Sequence, residues 1–563
     1  MVLCAAWDYE ALKVHQSWRV LADRLAEARL PTLRFDYPGS GNSLDDGASF
    51  EAKLASIRHA TRFLMEKAGV SSVTLIGLRL GAALALETAI GQSAVDCIVL
   101  VRPVVRGKAY FLEQKALARI LAKQKYSGII CESEDGRIEI EGFTLDRDEA
   151  DAITKIDLLS HYELMARRIL IACEPKTPQY NALVARLIEL GGLVSKLELS
   201  EVAAWVPSAI PAPPPLVDID SIIEWVREGS HPRQAHSVAS NSMETETFVE
   251  IGVQFGETEA LRGVLCRPKT KAKGYEREAV LFLNAAGNYH IGPGRTTVEH
   301  ARHLASQGVA SLRMDCVGIG DSAWRIEGPL AAIHHEERVV DVSRAIDELE
   351  RAGLDNVSVT GLCSGAFLAF RSALKDPRVK RVILVDPHFW LPLSKEQLAD
   401  PTHGIYAQAP STYLKKTVSL KTWQRMLRGK IRVRPVISFG RQTVERMGKI
   451  LSQFSWGRTQ FSKYGDQRSE LERELANLGA RGCQTLLVFS GSDPMGGALA
   501  RKIFATQMGT VDMMRLPKGF TIETVEGADH SFVNRKARCQ FRRLLTEFVI
   551  DLDGLDGSLR ADV

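Results

Sequence analysis

Apolar residues run along this chain in short blocks separated by amphipathic stretches, and that alternation predicts strands and helices in turn. In the first half, Val2–Ala6 reads as a short buried strand and His15–Ala28 as an amphipathic helix. Thr32–Tyr37 is a second strand, followed by the turn PGSGNS. A helix over about Ser49–Ala68 leads to the strand Val73–Leu78, which breaks sharply into a helix at Leu80–Ala89. Cys97–Val104 and Arg168–Cys173 are further strands, about sixty residues apart. The second half gives a strand at Ala279–Asn284, a helix at Val298–Gln307, a strand at Ala310–Asp315 and the turn CVGIGDS. A helix at about Glu336–Arg351 leads to the strand Val357–Gly361, which breaks into the helix Ser364–Leu374. The strands Arg381–Asp386 and Thr485–Ser490 follow, about a hundred residues apart.

The same order on both sides of one polar stretch is an internal repeat. Residues from about Arg227 to Glu246 carry Gly, Ser and Pro and no apolar period, so they read as a linker. The expected division is a domain over 1–228, a linker over 229–246 and a domain over 247–563, with a cap at about 388–480. Short apolar strands alternating with helices imply parallel strands joined by helical crossovers, hence an α/β protein whose halves are each a doubly wound, mostly parallel sheet. The long insert after the same strand in both halves predicts a helical cap over the sheet's C-terminal edge, where ligands bind in open α/β sheets. Thr247–Gln254 and Leu261–Pro268 give the second half a leading β-hairpin that the first half lacks.

Composition narrows the class. A chain of 563 residues is too long for one core. Hydrophobic residues at 45% and charged residues at 25% are ordinary globular usage, and a net charge of +4 implies no nucleic-acid partner. The longest apolar stretch, Val73–Ile90, is broken by Arg79 and Glu87, so no integral membrane segment is expected. The start, MVLCAAWDYE, has no basic region of the signal-peptide kind. Nine cysteines, scattered and without a CxxC pair, fit reduced thiols in a cytoplasmic protein with no metal or cofactor motif.

The chemistry lies in the second half. Gly361-Leu362-Cys363-Ser364-Gly365 has the G-x-Nu-x-G spacing of a nucleophile elbow, in which the central side chain projects above the sheet at a strained turn. That residue is Cys363, and the helix that starts beside it favours a thiolate. Asp493 in FSGSDPM follows an apolar strand, and His530 in VEGADHSF precedes the final helix. The order nucleophile, acid, histidine is that of an α/β-hydrolase triad, in which a base deprotonates the nucleophile and a carboxylate orients the base. The oxyanion hole is expected from the N–H of Ser364 and one from the loop Asn284–Tyr289, with Gly287 as the donor. Asn288 and Tyr289 of that loop are expected beside the substrate. Asp321 in GIGDS is expected to fix its turn.

The first half has the elbow spacing with the wrong residue: Gly77-Leu78-Arg79-Leu80-Gly81. A guanidinium is no nucleophile. No histidine occurs between Arg167 and His231, and Glu174 sits at an acid-like strand end. Arg79 reads either as an anion-binding or domain-docking group, or as a structural arginine paired with a carboxylate such as Asp36 or Glu174. The first half is expected to be catalytically inactive.

These features resemble the α/β-hydrolase superfamily. More narrowly, the chain is similar to the two hydrolases associated with exosortase and exopolysaccharide systems. One has a GLRLGA elbow and a segment like Gly136–Asp146 (GRIEIEGFTLD); the other has a GLC-type elbow, a cap pattern like Thr412–Lys430 and a GADH-type histidine. The resemblance implies two α/β-hydrolase domains fused in tandem; a first half lacking the leading hairpin should leave an edge or apolar surface to be covered, so the halves are expected to dock. The function expected is hydrolysis or transfer of an acyl ester or thioester by Cys363, His530 and Asp493; a non-catalytic binding or scaffolding protein is the alternative. Between Ser411 and Arg434 the cap carries eight Lys and Arg and no acid, interleaved with apolar residues at helical spacing. Trp423, Arg425 and Arg428 of this segment are expected to contact substrate, the basic face either taking an anionic acyl carrier or being a solvated surface.

Overall fold

The computed structural model describes residues 1–45, 47–124, 138–160, 168–205, 213–229, 242–323, 336–387, 470–491 and 519–550. The expected cap lies outside the described residues apart from a helical stretch over 470–480.

In the first half, β1 (Val2–Cys4), β2 (Leu33–Arg34), β3 (Val73–Leu78) and β4 (Val95–Val101) precede a small hairpin of β5 (Ile138–Ile140) and β6 (Phe143–Leu145). After the hairpin come β7 (Arg168–Cys173) and β8 (Leu193–Glu198). Six of these strands form a parallel sheet in the order β2-β1-β3-β4-β7-β8. The second half contains β9 (Ser242–Glu244), β10 (Phe248–Phe255), β11 (Leu261–Pro268), β12 (Glu278–Phe282) and β13 (Ala310–Asp315). It continues with β14 (Asn356–Leu362), β15 (Val379–Val385), β16 (Gln484–Ser490) and β17 (Phe520–Val525). Their order is β17-β16-β15-β14-β12-β13-β11-β10-β9, parallel from β17 to β13 and antiparallel beyond. The stretch β13-β12-β14-β15-β16-β17 repeats the order of the first sheet, so the repeat in the sequence is a repeat of topology.

Central strands such as β3 (VTLIGL) are buried at every position because helices cover both faces, which is why they read as unbroken apolar runs. The helix Phe50–Ala68 starts where Ser49 accepts the Ala52 N–H and stops at Gly69 in the left-handed region.

Three expectations shift. The first helix begins at Asp8, not His15; no Gly or Pro separates it from β1, and Asp8 and Glu10 suit a first helical turn. The second strand shrinks to Leu33–Arg34, because Phe35–Tyr37 already turn away. The expected linker ends early: Met243 pairs with Glu250, and β9 adds an edge strand too short and exposed to show a period.

The halves share a packed boundary. Tyr289, Ile291 and Val298 are buried in one apolar cluster with Trp7, Tyr9, Leu12 and Tyr37. The polar contacts are reciprocal. In the turn after β2, the Asn42 carbonyl accepts from Arg302 (2.6 Å) and its side chain from Arg313 (3.1 Å). In the turn after β13, the Asp321 and Ser322 carbonyls accept from Arg19 (3.0 and 2.8 Å), and the Asp321 carboxylate accepts from Arg34 (2.7 Å). Each turn is closed by an aspartate, Asp36 just beyond β2 and Asp315 at the end of β13: Asp36 accepts the Asn42 N–H (2.9 Å) and Asp315 the Asp321 N–H (3.0 Å). A Cβ on Gly41 or Gly320 would lie 2.2 Å from the Asp36 or Asp315 side chain, so both turns require glycine there. Asp315 thus fixes the turn that the sequence assigns to Asp321, whose side chain instead reaches across the boundary.

Candidate active site

Three loops at the C-terminal edge of the nine-stranded sheet meet around one cleft, lined among others by Ala285, Tyr289, Leu362 and Ser531. The first is the elbow. Cys363 leaves β14 with φ 57° and ψ −111°, a backbone that only its surroundings hold in place. Its N–H donates to the Val385 carbonyl at 2.9 Å, and the helix Ser364–Lys375 follows at once. A Cβ on Gly361 would lie 2.2 Å from the Gly365 backbone, and one on Gly365 would lie 2.7 Å from the Asn284 carbonyl. The two glycines let strand, helix and neighbouring loop close on each other. Cys363 is partly exposed, whereas Cys4, Cys97, Cys173, Cys266, Cys316 and Cys483 are buried.

The second loop carries His530. Its Nδ1 lies 3.2 Å from Oδ2 of Asp386, the residue just after β15. Asp386 is fully buried, with φ 42°. Its Oδ1 accepts the Ser490 N–H at 2.8 Å, its Oδ2 accepts the Ser490 hydroxyl, and its own N–H donates to Val488. Asp493, expected as the acid, lies outside the described residues. The carboxylate set against His530 is Asp386, at the neighbouring strand end. The sequence carried the signal, an acid terminating an apolar run, but could not say which of two adjacent strand ends faces the histidine.

The third loop follows β12. The Ala286 N–H, not that of Gly287, reaches the elbow: it donates to Ser364 Oγ at 2.9 Å, with Ala286 at φ 51°. Asn284 pins the loop from below, donating to the Asn288 carbonyl (3.1 Å) and to Asp315 Oδ1 (2.8 Å), while its Oδ1 accepts the Cys316 N–H (2.8 Å). Asn288, expected at the substrate, turns its side chain to Lys13 of the first half (3.4 Å). Tyr289 lines the cleft but stacks on His15, with ring centroids 3.7 Å apart. Trp423, Arg425 and Arg428 lie outside the described residues.

The first half repeats the elbow without its chemistry. Arg79 has φ 54° and ψ −117°, almost the backbone of Cys363. Its partners are neither Asp36 nor Glu174 but Glu10 (3.1 Å) and Glu113 (2.7 Å), and Tyr110 also donates to Glu10 (2.8 Å). Arg102 follows β4 as Asp386 follows β15, again with positive φ, and it pairs with Glu174. Two arginines therefore stand where the second half has a thiol and a carboxylate, and each is neutralised by a local acid.

His290, Asp315 and Asp321 each bring a ligand-type atom within 4.8 Å of the others. Those atoms already serve the boundary: His290 Nδ1 meets Asp315 at 2.7 Å, and Asp321 holds Arg34 and His15. A cation there would have to displace a guanidinium.

This topology, a mostly parallel sheet with a strand-to-helix elbow, is that of the α/β-hydrolase fold. Residues 280–540 match the alpha/beta hydrolase family, and the second half carries a domain of that family. No curated protein matches the chain. Similar solved structures include a bacterial membrane phospholipase A described as a virulence factor (16% identity, 55% of this chain and 88% of that one, TM-score 0.30). Others are a predicted CIB-like hydrolase from Thermoplasma acidophilum (13%, 54% and 98%, 0.30) and a cold-adapted esterase from an Arctic intertidal metagenomic library (14%, 55% and 99%, 0.30). Among the described residues, no helix is long and apolar enough to cross a membrane.

Proposed function

We propose that the chain is an acyl-transferring hydrolase of esters or thioesters that works through Cys363, His530 and Asp386, with Asp386 in the role the sequence suggested for Asp493. The observation that carries the reading is a cysteine on a strained elbow, with two strands between it and a histidine whose Nδ1 is held by a fully buried carboxylate. The Cys363 sulfur would attack the acyl carbonyl carbon while His530 takes its proton. The carbonyl oxygen, now negative, would be met by N–H groups at the elbow and at Ala286, provided the Ser364 hydroxyl swings away from the latter. Collapse would break the bond to the leaving alcohol or thiol, which receives the proton from His530, and leave a thioester on Cys363. Water or another acceptor, deprotonated by His530, would release the acyl group. Asp386 stays ionised throughout, fixing the imidazole tautomer and stabilising its cation.

The first half is then an inactive relative of the second. Its sheet order, its G-x-R-x-G elbow and its two plugged charge positions support this. The pairing of GLRLGA and GLCSGA elbows supports kinship with the two exosortase-associated hydrolases fused into one chain. Scattered thiols with no disulfide among the described residues support a reducing, cytoplasmic setting, and the basic segment Ser411–Arg434 supports an acyl group delivered on an anionic carrier.

The test is turnover and acyl trapping. Cys363→Ala should abolish hydrolysis of p-nitrophenyl acetate and of a short acyl thioester, whereas Ser364→Ala keeps its backbone N–H and should retain at least a tenth of it. Intact mass of a His530→Ala variant should reveal the acyl adduct. An active Cys363→Ala protein beside a dead Ser364→Ala protein would reverse the assignment.

A further inference from the structure

We infer that the first half of the chain acts on the second as the support of its oxyanion loop, with His15 as the positioning residue. The inference rests on the reading of the second half as an acyl-transferring enzyme and assigns a task to the half that has lost its own site.

The loop from Asn284 to Ile291 needs support. Ala286 sits at φ 51°, a left-handed backbone that costs a non-glycine residue about 1–2 kcal/mol, and it must stay there to aim its N–H at the elbow. Asn284 fixes the loop's start. Its far side is held across the boundary at three successive residues. Lys13 donates to the Asn288 side chain at 3.4 Å. The His15 ring lies flat on Tyr289, 3.7 Å between centroids and 10° between planes. The Asn42 side-chain nitrogen meets His290 Nε2 at 3.0 Å, and since the Asn42 oxygen accepts from Arg313, the amide group donates and His290 Nε2 accepts.

His15 is itself fixed in two directions. Its Nε2 lies 3.1 Å from Asp321 Oδ1, and its face is covered by Tyr289. Asp321 is in turn tied to Arg34 of the first half and closed by the turn on Asp315. The chain of contacts therefore runs from the first half's helix Asp8–Glu27 through Tyr289 to the loop that carries Ala286. An oxyanion donor acts only when it sits where charge develops, and a shift of about 1 Å in a positioning contact can cost ~10²-fold in rate. His15 touches neither substrate nor reacting atoms; it acts through Tyr289.

The test compares His15→Ala, His15→Phe and Arg19→Ala in the full-length protein. Arg19 also crosses the boundary, but to the carbonyls of Asp321 and Ser322 and not to the oxyanion loop. His15→Ala should lower kcat for a short acyl thioester by roughly 10- to 100-fold with KM within about threefold. Amide hydrogen exchange over residues 284–291 should quicken. His15→Phe, which restores a flat ring on Tyr289, should recover most of the kcat, and Arg19→Ala should lower the melting temperature while leaving kcat within about threefold. Equal kcat losses in His15→Ala and Arg19→Ala at equal loss of melting temperature would make His15 merely structural and overturn the inference. So would unchanged exchange over 284–291 in His15→Ala. If the unsubstituted chain turns over no ester or thioester, the enzymatic reading fails separately, and the exchange measurement still decides whether the first half holds the loop.

Discussion

Replacing Asp386 with asparagine removes one charge from the site and almost no volume. The imidazolium that forms when His530 takes the thiol proton lies 3.2 Å from Asp386 Oδ2. At that distance unit charges in a medium of effective dielectric ~20 attract by about 5 kcal/mol. His530 is partly open to solvent, and screening brings the usable part to about 3–4 kcal/mol, or roughly 10²- to 10³-fold in rate. A tautomer effect adds to it. Ser490 donates to both carboxylate oxygens, through its N–H and its hydroxyl. Asparagine keeps an oxygen for the Ser490 N–H and turns its NH2 toward His530, so Nδ1 must accept and the proton moves to Nε2, where the base is needed free. Asp386→Asn should therefore lower kcat/KM for p-nitrophenyl acetate by about 10³-fold or more, with a melting temperature within a few degrees of the parent. Asp493→Asn, assayed beside it between pH 6 and 9, should keep most of the activity. An Asp386→Asn protein within about threefold of the parent, beside a dead Asp493→Asn protein, would refute the assignment of the acid and the charge argument with it.

Thiol reactivity offers a second check. Burial pushes the Cys266 and Cys316 thiols up to about 12 and Cys483 to about 11, so these should resist iodoacetamide at neutral pH. Peptide mass mapping should find fast labelling at Cys363 that hydrolysable acyl substrate slows; rapid labelling of the buried thiols instead would contradict the packing. Acid should reveal the boundary between the halves. Burial alone would raise the Asp321 carboxyl, but Arg34 and then His15 hold it well below the usual carboxylate range. Its stabilising effect is thus complete above about pH 4 and is lost as pH falls through the depressed value. The melting-temperature gap between the parent and Asp321→Asn should narrow on acidification below about pH 4, and a gap constant down to pH 2.5 would count against the ion pair.

The sequence by itself determined the order of strands and helices, the repeat and the elbow. Buried parallel strands leave unbroken apolar runs, and a strand-to-helix turn this tight needs glycines at Gly361 and Gly365, so both leave marks in the residues. Cys363 and His530 each follow a strand that is plain in the sequence. The tertiary structure decided everything that depends on which strand ends are neighbours. Asp386 and Asp493 both follow apolar strands, and that Asp386 lies 3.2 Å from His530 could be known only from the fold. In the loop after β12 it is the Ala286 N–H that meets Ser364, because backbone direction at φ 51° depends on packing and not on residue type. Arg79 found Glu10 and Glu113, one on the first helix and one in the insert after β4, partners that no local spacing connects. The contact of His15 with Tyr289 was invisible in the chain, since a histidine in an amphipathic helix carries no mark of the tyrosine 274 positions away on which it stacks. Contacts that set a turn are written locally, in φ and in the glycines that permit it; contacts that set a site join distant segments, and only the fold brings them within reach.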